Sequence, residues 1–90
     1  MTIEDIVDSV VKRHKELRED PVIIVVDNRG ISVRDRFLPM RTDLVVDYCQ
    51  LYSMLREKLG RRVKTYGNWI VVSKRPLEHA LKRARGIPHI

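Results

Sequence analysis

The segment Arg61-Arg62-Val63-Lys64-Thr65-Tyr66-Gly67-Asn68-Trp69-Ile70-Val71-Val72-Ser73-Lys74 constrains this chain more than any other. Two runs rich in β-branched residues, each tipped by an aromatic ring, flank Gly67-Asn68. A two-residue loop with glycine first suits a type II′ turn, so the segment reads as a β-hairpin. So short a loop dictates the register. Tyr66 then faces Trp69, Lys64 faces Val71 and Arg62 faces Ser73; on the other side Thr65 meets Ile70, Val63 meets Val72 and Arg61 meets Lys74. The second of these faces has an apolar centre and should look inward. The first sets two aromatics beside two cations. Rings for bases and cations for phosphates are what a single-stranded nucleic acid binder needs. A cross-strand Tyr–Trp pair that only stabilises the hairpin accounts for the same residues.

The rest of the charge pattern bears on that choice. The chain has 90 residues and a net charge of +6. Residues 61–90 hold eight Lys/Arg and one acid, whereas residues 1–20 hold four and six. A basic excess at one end favours a polyanionic partner, nucleic acid before membrane. The length fits one domain, 1–90, with an ordered core over 1–86 and a tail at 87–90; so small a core gains from dimerising. Cys49 is the single cysteine, which excludes an intramolecular disulfide and a cysteine-based zinc site. The charged N-terminus is no signal peptide, and no apolar run reaches the length of a membrane span, so a cytoplasmic location is expected. Arginine outnumbers lysine 12 to 6 and Asn plus Gln total 3. Few thermolabile amides among many charges point to a thermophile.

Along the chain, residues 2–19 form an amphipathic helix capped by Thr2 with Asp5 as its box partner, with Ile3, Ile6, Val7, Val10, Val11, His14 and Leu17 on one stripe. His14 reads as a core histidine rather than a ligand. Pro21 ends the helix. Val22-Ile23-Ile24-Val25-Val26 is a strand covered on both faces. Asp27-Asn28-Arg29-Gly30 reads as a three-residue hairpin loop with Gly30 left-handed, followed by an alternating strand from Ile31 to Arg36. Pairing Asp27 with Ile31 turns Ile23, Val25, Ile31 and Val33 inward, and sets Ile24 and Val26 beside Ser32, Arg34 and Arg36. Residues 37–41 are a connector. Thr42 caps a second helix, 43–59, stopped by Gly60. Its apolar band is wide, enough for a central position or for a second subunit. After the hairpin, Pro76 opens a short basic helix over 77–85.

The order α-β-β-α-β-β-α predicts an α+β domain, a four-stranded, mostly antiparallel sheet packed on helices. Its inward faces supply Ile23, Val25, Ile31, Val33, Val63, Ile70 and Val72. Its other face, if both hairpins share one sheet, gathers Arg34, Arg36, Arg62, Lys64, Tyr66 and Trp69 around an apolar floor of Ile24, Val26 and Val71, with Lys74 and Arg75 at the rim. These eight are the candidate nucleic-acid-binding residues. In the competing arrangement the last helix or a second subunit covers the apolar floor, leaving the arginines exposed. Element order, size and the segment Arg62-Val63-Lys64-Thr65-Tyr66-Gly67-Asn68-Trp69 resemble the ThermoDBP group of archaeal single-stranded DNA-binding proteins. The resemblance implies single-stranded DNA or RNA held in a cleft with little sequence preference, and a homodimer or larger homo-oligomer. A long C-terminal zipper helix, associated with that group, is absent here.

Enzyme readings fare worse. Asp27 ends a strand and could join Asp35, Asp43 and Asp47 in a magnesium site of a nuclease. Structural roles account for them better: Asp27 suits a turn, Asp35 lies between arginines and Asp43 suits a helix start. His14, His79 and His89 lack zinc spacing, and there is no nucleophile elbow or glycine-rich phosphate loop. No metal and no cofactor is expected. Two functions remain: non-catalytic single-stranded nucleic acid binding, and a dimeric protein-interaction or transcription-regulatory module with its interface on helix 43–59.

Overall fold

The structure, a computed structural model, describes residues 2–17, 21–34 and 40–84. Its elements are α1 (Ile3–Leu17), β1 (Val22–Asp27), β2 (Gly30–Arg34), β3 (Met40–Thr42), α2 (Tyr48–Leu59), β4 (Val63–Tyr66), β5 (Trp69–Val72) and α3 (Leu77–Ala84), with a 3-10 turn at Gly60–Arg62. The chain is α+β. The two hairpins share one sheet, joined through β1 and β5, in the order β3-β2-β1-β5-β4. Every pairing is antiparallel, and the sheet has five strands where four were expected. No helix of the described residues is long and apolar enough to cross a membrane.

Local chemistry explains the helix starts and stops. The Thr2 backbone N–H donates to Asp5 Oδ2 at 2.9 Å, and the Asp5 N–H donates to Thr2 Oγ1 at 3.3 Å. This reciprocal pair satisfies two of the free donors of the first turn of α1. Residues 18 and 19, the expected end of the helix, lie outside the described residues. The second helix starts at Tyr48 rather than at 43. Asp47, not Thr42, caps it, its carboxylate accepting from the Gln50 N–H at 3.0 Å. Thr42 Oγ1 instead accepts from the Leu44 N–H at 3.3 Å in a local turn. Residues 43–47 keep a period of two: Leu44 and Val46 are half-buried, while Val45 is 64 % exposed. Extended chain is needed there to bring the backbone from β3, at the sheet's edge, to α2. Gly60 stops α2 as expected, with φ 61° and its N–H donating to the Arg56 carbonyl.

The first hairpin corrects the expected register. The loop holds two residues, Asn28 and Arg29, so Asp27 pairs with Gly30 and Val26 with Ile31. Asp27 Oδ1 accepts from the Arg29 N–H at 2.8 Å and closes the turn from inside. A one-residue slip turns every side chain of a strand over. Ile24 and Val26 therefore join Val22 on the inner face, and Ile23 and Val25 point the other way. Gly30 is required on two counts, its φ of 147° and a close crossing. β3, in the segment read as a connector, crosses it so closely that a Cβ would collide with the Thr42 carbonyl oxygen and lie 2.9 Å from Asp43 Cα. The second hairpin pairs as expected: Tyr66 with Trp69, Thr65 with Ile70, Lys64 with Val71, Val63 with Val72. Gly67 takes φ 58° in its turn.

Helices cover both faces of the sheet. On the first, Ile6, Val7 and Val10 of α1 and Leu51 and Leu55 of α2 pack on Val22, Ile24, Ile31, Val33, Val63, Ile70 and Val72. Each such side chain contributes about 1.5–3 kcal/mol when fully buried. The wide apolar band of α2 serves two neighbours, α1 and the sheet. Its outward positions Cys49, Gln50, Ser53, Arg56, Glu57 and Lys58 are exposed. On the second face, Leu77 and Ala80 of α3 pack on Ile23 and Val71. The Pro76 carbonyl accepts from the Ala80 N–H at 3.0 Å and so begins that helix.

Candidate nucleic-acid interface

The register lays out the second face as two rows across the strands. One row runs Arg34, Ile23, Val71, Lys64. The next, nearer the hairpin tips, runs Arg41, Ser32, Val25, Trp69, Tyr66. α3 closes the middle of the first row, where Ile23 and Val71 are 1 % and 0 % exposed. The last helix thus covers the apolar middle of this face, as in the competing arrangement, and of the floor expected there only Val71 is present, Ile23 standing where Ile24 and Val26 were placed. Arg34 and Lys64 flank it, separated by three strand spacings or about 14 Å.

The second row is open at its aromatic end. Tyr66 is 55 % exposed and Trp69 half-buried, with ring centroids 6.0 Å apart and planes at 61°, an edge-to-face pair. β5 is fastened from behind: Tyr48 Oη donates to the Trp69 carbonyl at 3.0 Å. Burial pushes the Tyr48 phenol up, which keeps that donor protonated. Beside the turn, Val26 N–H donates to the Asn68 carbonyl at 3.1 Å, and Asn68 Nδ2 to the Val26 carbonyl at 3.3 Å. The platform is therefore tied to β1 as well as to its own hairpin.

The cations gather at the other end of this hairpin. Lys64 Nζ donates to the Ser73 carbonyl at 2.6 Å and the Arg62 carbonyl at 3.4 Å, and burial lowers its pKa. It is committed to holding the strand ends. Arg62 and Lys74 are exposed; Arg75 is half-buried, its N–H donating to Ser73 Oγ at 3.1 Å. The charges of Arg62, Lys74 and Lys64 all reach His14. No acid occurs between Glu57 and Glu78 in the chain. Arg34 is half-buried beside Ile23, away from this group. Arg36 lies outside the described residues. The expected single cleft thus separates into an aromatic tip, Tyr66 and Trp69, and a basic base, Arg62, Lys64, Lys74 and Arg75.

Arg41 is the residue that sequence reasoning missed. Its Nη1 donates to Ser32 Oγ at 2.8 Å, and its two terminal nitrogens approach the Asp27 carboxylate at 3.4 Å each. The Arg29 backbone N–H first, and then Arg41, hold the Asp27 carboxyl below its ordinary value. Met40-Arg41-Thr42 is too short for a visible alternation, so nothing marked Arg41 as a strand residue.

Two of the acids weighed for a metal site have other work. Asp27 closes a turn and pairs with Arg41, and Asp47 caps α2. Asp35 lies outside the described residues. Among the described residues no group of three or more His, Cys, Asp or Glu could hold a metal ion. His14 is 1 % exposed, neither ring nitrogen has a hydrogen-bond partner among the described residues, and burial, then the three cations, lower its pKa. Its place in the core favours the neutral imidazole. Comparisons of the chain with protein-family models, with curated proteins and with solved structures found no match.

Proposed function

We propose that this protein binds single-stranded nucleic acid, DNA or RNA, without catalysis. Bases lie against Tyr66 and Trp69, and phosphates are drawn to the basic base of the same hairpin. The observation that supports this reading best is the exposure of Tyr66. A ring 55 % open to solvent, backed by a second ring and anchored through Asn68 and Tyr48, is a poor way to use an aromatic for packing alone. Stacking contributes roughly 1–3 kcal/mol per base and tolerates any sequence. Paired bases hide their faces, so the rings favour single strands, whereas Arg62 and Lys74 serve any phosphate backbone. Two rings accommodate few bases, so affinity for a long strand rises if copies assemble into a homodimer or larger homo-oligomer.

Trp69 is the single tryptophan and reports directly on the platform. The test is a titration of its fluorescence with oligo-dT, oligo-U and duplex DNA at two salt concentrations. Quenching by single strands that weakens with salt is the expected result. No change with any of the three, at low salt and micromolar protein, rejects the reading.

A further inference from the structure

We infer that Arg41 is a phosphate anchor for the bound strand and that Asp27 is its built-in competitor; this rests on the single-strand reading above. The row Arg41, Ser32, Val25, Trp69, Tyr66 crosses all five strands in register. Four strand spacings separate its ends, about 19 Å. A strand stacked on Tyr66 and Trp69 that continues along this row leaves the platform over half-buried Val25 and reaches Arg41. Arg41 is exposed, on an edge strand, and its guanidinium is already oriented on the face by Ser32 Oγ at 2.8 Å. Ser32 is itself 2 % exposed, so the hydroxyl that orients Arg41 is a fixed point of the sheet.

The second partner of Arg41 is looser. Both nitrogen–oxygen distances to Asp27 are 3.4 Å, beyond the 2.7–2.9 Å usual for a charge-assisted bond. A guanidinium has five donors in a planar fork and can keep Ser32 while turning the others to a phosphate. Asp27 stays behind, because Arg29 N–H holds its carboxylate in the turn at 2.8 Å. The free protein therefore carries an ion pair that a phosphate must displace. Asp27 weakens binding, and Arg41 strengthens it. Arg62 and Lys74 lie at the base of the hairpin, off the line of this row, so Arg41 is the cation the row itself reaches.

The test measures affinity and its salt dependence for oligo-dT with wild type, Arg41→Ala and Asp27→Asn, using Trp69 quenching and the anisotropy of a labelled strand. Asn at 27 keeps the side-chain oxygen that closes the turn and removes only the charge. Arg41→Ala is expected to weaken binding roughly tenfold, as for loss of one charged hydrogen-bonded contact, and to reduce the log–log salt slope by about 0.7. Asp27→Asn is expected to tighten binding. Opposite signs are the signature, since a purely structural pair loses affinity, and melting temperature, in both variants. If wild type quenches with single strands and Arg41→Ala leaves affinity and slope unchanged, the anchor is wrong and the platform stands. If wild type shows no quenching, both fail.

Discussion

Replacing His14 by leucine is expected to stabilise this protein, and to do so most below pH 6.5. The imidazole is 1 % exposed and neither nitrogen has a hydrogen-bond partner among the described residues. An unsatisfied buried polar group costs about 1–3 kcal/mol. A leucine of similar size avoids that and brings a shape mismatch of less than about 1.5 kcal/mol. The net expectation at pH 7.5 is a gain of about 1 kcal/mol, or roughly 4–8 °C in melting temperature for a domain of this size. The pH dependence is the sharper readout. Burial, then the charges of Arg62, Lys74 and Lys64, hold the folded pKa of His14 below 6.5. The unfolded chain titrates near about 6.5 and binds more protons below that value. Stability is therefore present above pH 6.5 and lost as pH falls from there to the folded pKa, at up to about 1.4 kcal/mol per pH unit. Asp5 and Asp27 do not overlap that window, since both are lowered from 3.8. Urea titrations of wild type and His14→Leu from pH 5 to 8 compare the two curves, and the difference cancels every other group. Wild type should slope and the variant should be flat by comparison. Parallel curves, with the variant less stable throughout, refute a buried, unbonded imidazole.

Two further substitutions test other links. Gly30→Ala should destabilise by more than the roughly 1–3 kcal/mol of a strained backbone alone, because its φ of 147° is combined with a collision against Thr42; unchanged urea stability would mean that β3 does not cross there. Tyr66→Ala should cost only about 0.5–1.5 kcal/mol in folding, the worth of its pair with Trp69, but roughly 1–3 kcal/mol in binding oligo-dT. Unaltered affinity with a normal circular dichroism spectrum would remove stacking from the reading.

The parts of the fold legible in the sequence were those written in local chemistry. Thr2 with Asp5, Gly60, and Gly67-Asn68 each act over a few residues, and each appears as expected. β1 is a strand covered on both faces as expected, but its facing was misread because its own pattern is silent. Ile23 and Ile24 are both buried, one under α3 and one under α1 and α2, so hydrophobicity could not choose a face. The choice then rested on the loop, and Asp27-Asn28-Arg29-Gly30 suits two or three residues equally well. The side chain that settles it bonds the Arg29 N–H, a contact invisible to composition. β3 and Arg41 were missed for a related reason: three residues carry no period, and their strand exists only because β2 is there to pair with. The pairing of Tyr66 with Trp69 was legible because a hairpin specifies its own neighbours. The separation of Lys64 from solvent was not legible, since its partners are backbone carbonyls at the strand ends.

The seam between β1 and β5 sets the order in which this chain can assemble. Each hairpin closes over a two-residue loop, whereas Ile23 pairs with Val71, 48 positions away (71 − 23). Closing so long a loop has an entropy cost that the hairpins avoid, so their docking is the slow, late event. α3 rests on Ile23 from one hairpin and Val71 from the other. Its footprint does not exist until the seam has closed. The last helix is therefore a stitch across two halves that form separately: in kinetic measurements, truncating Ala80 to glycine should leave the folding rate nearly unchanged and appear almost wholly as faster unfolding.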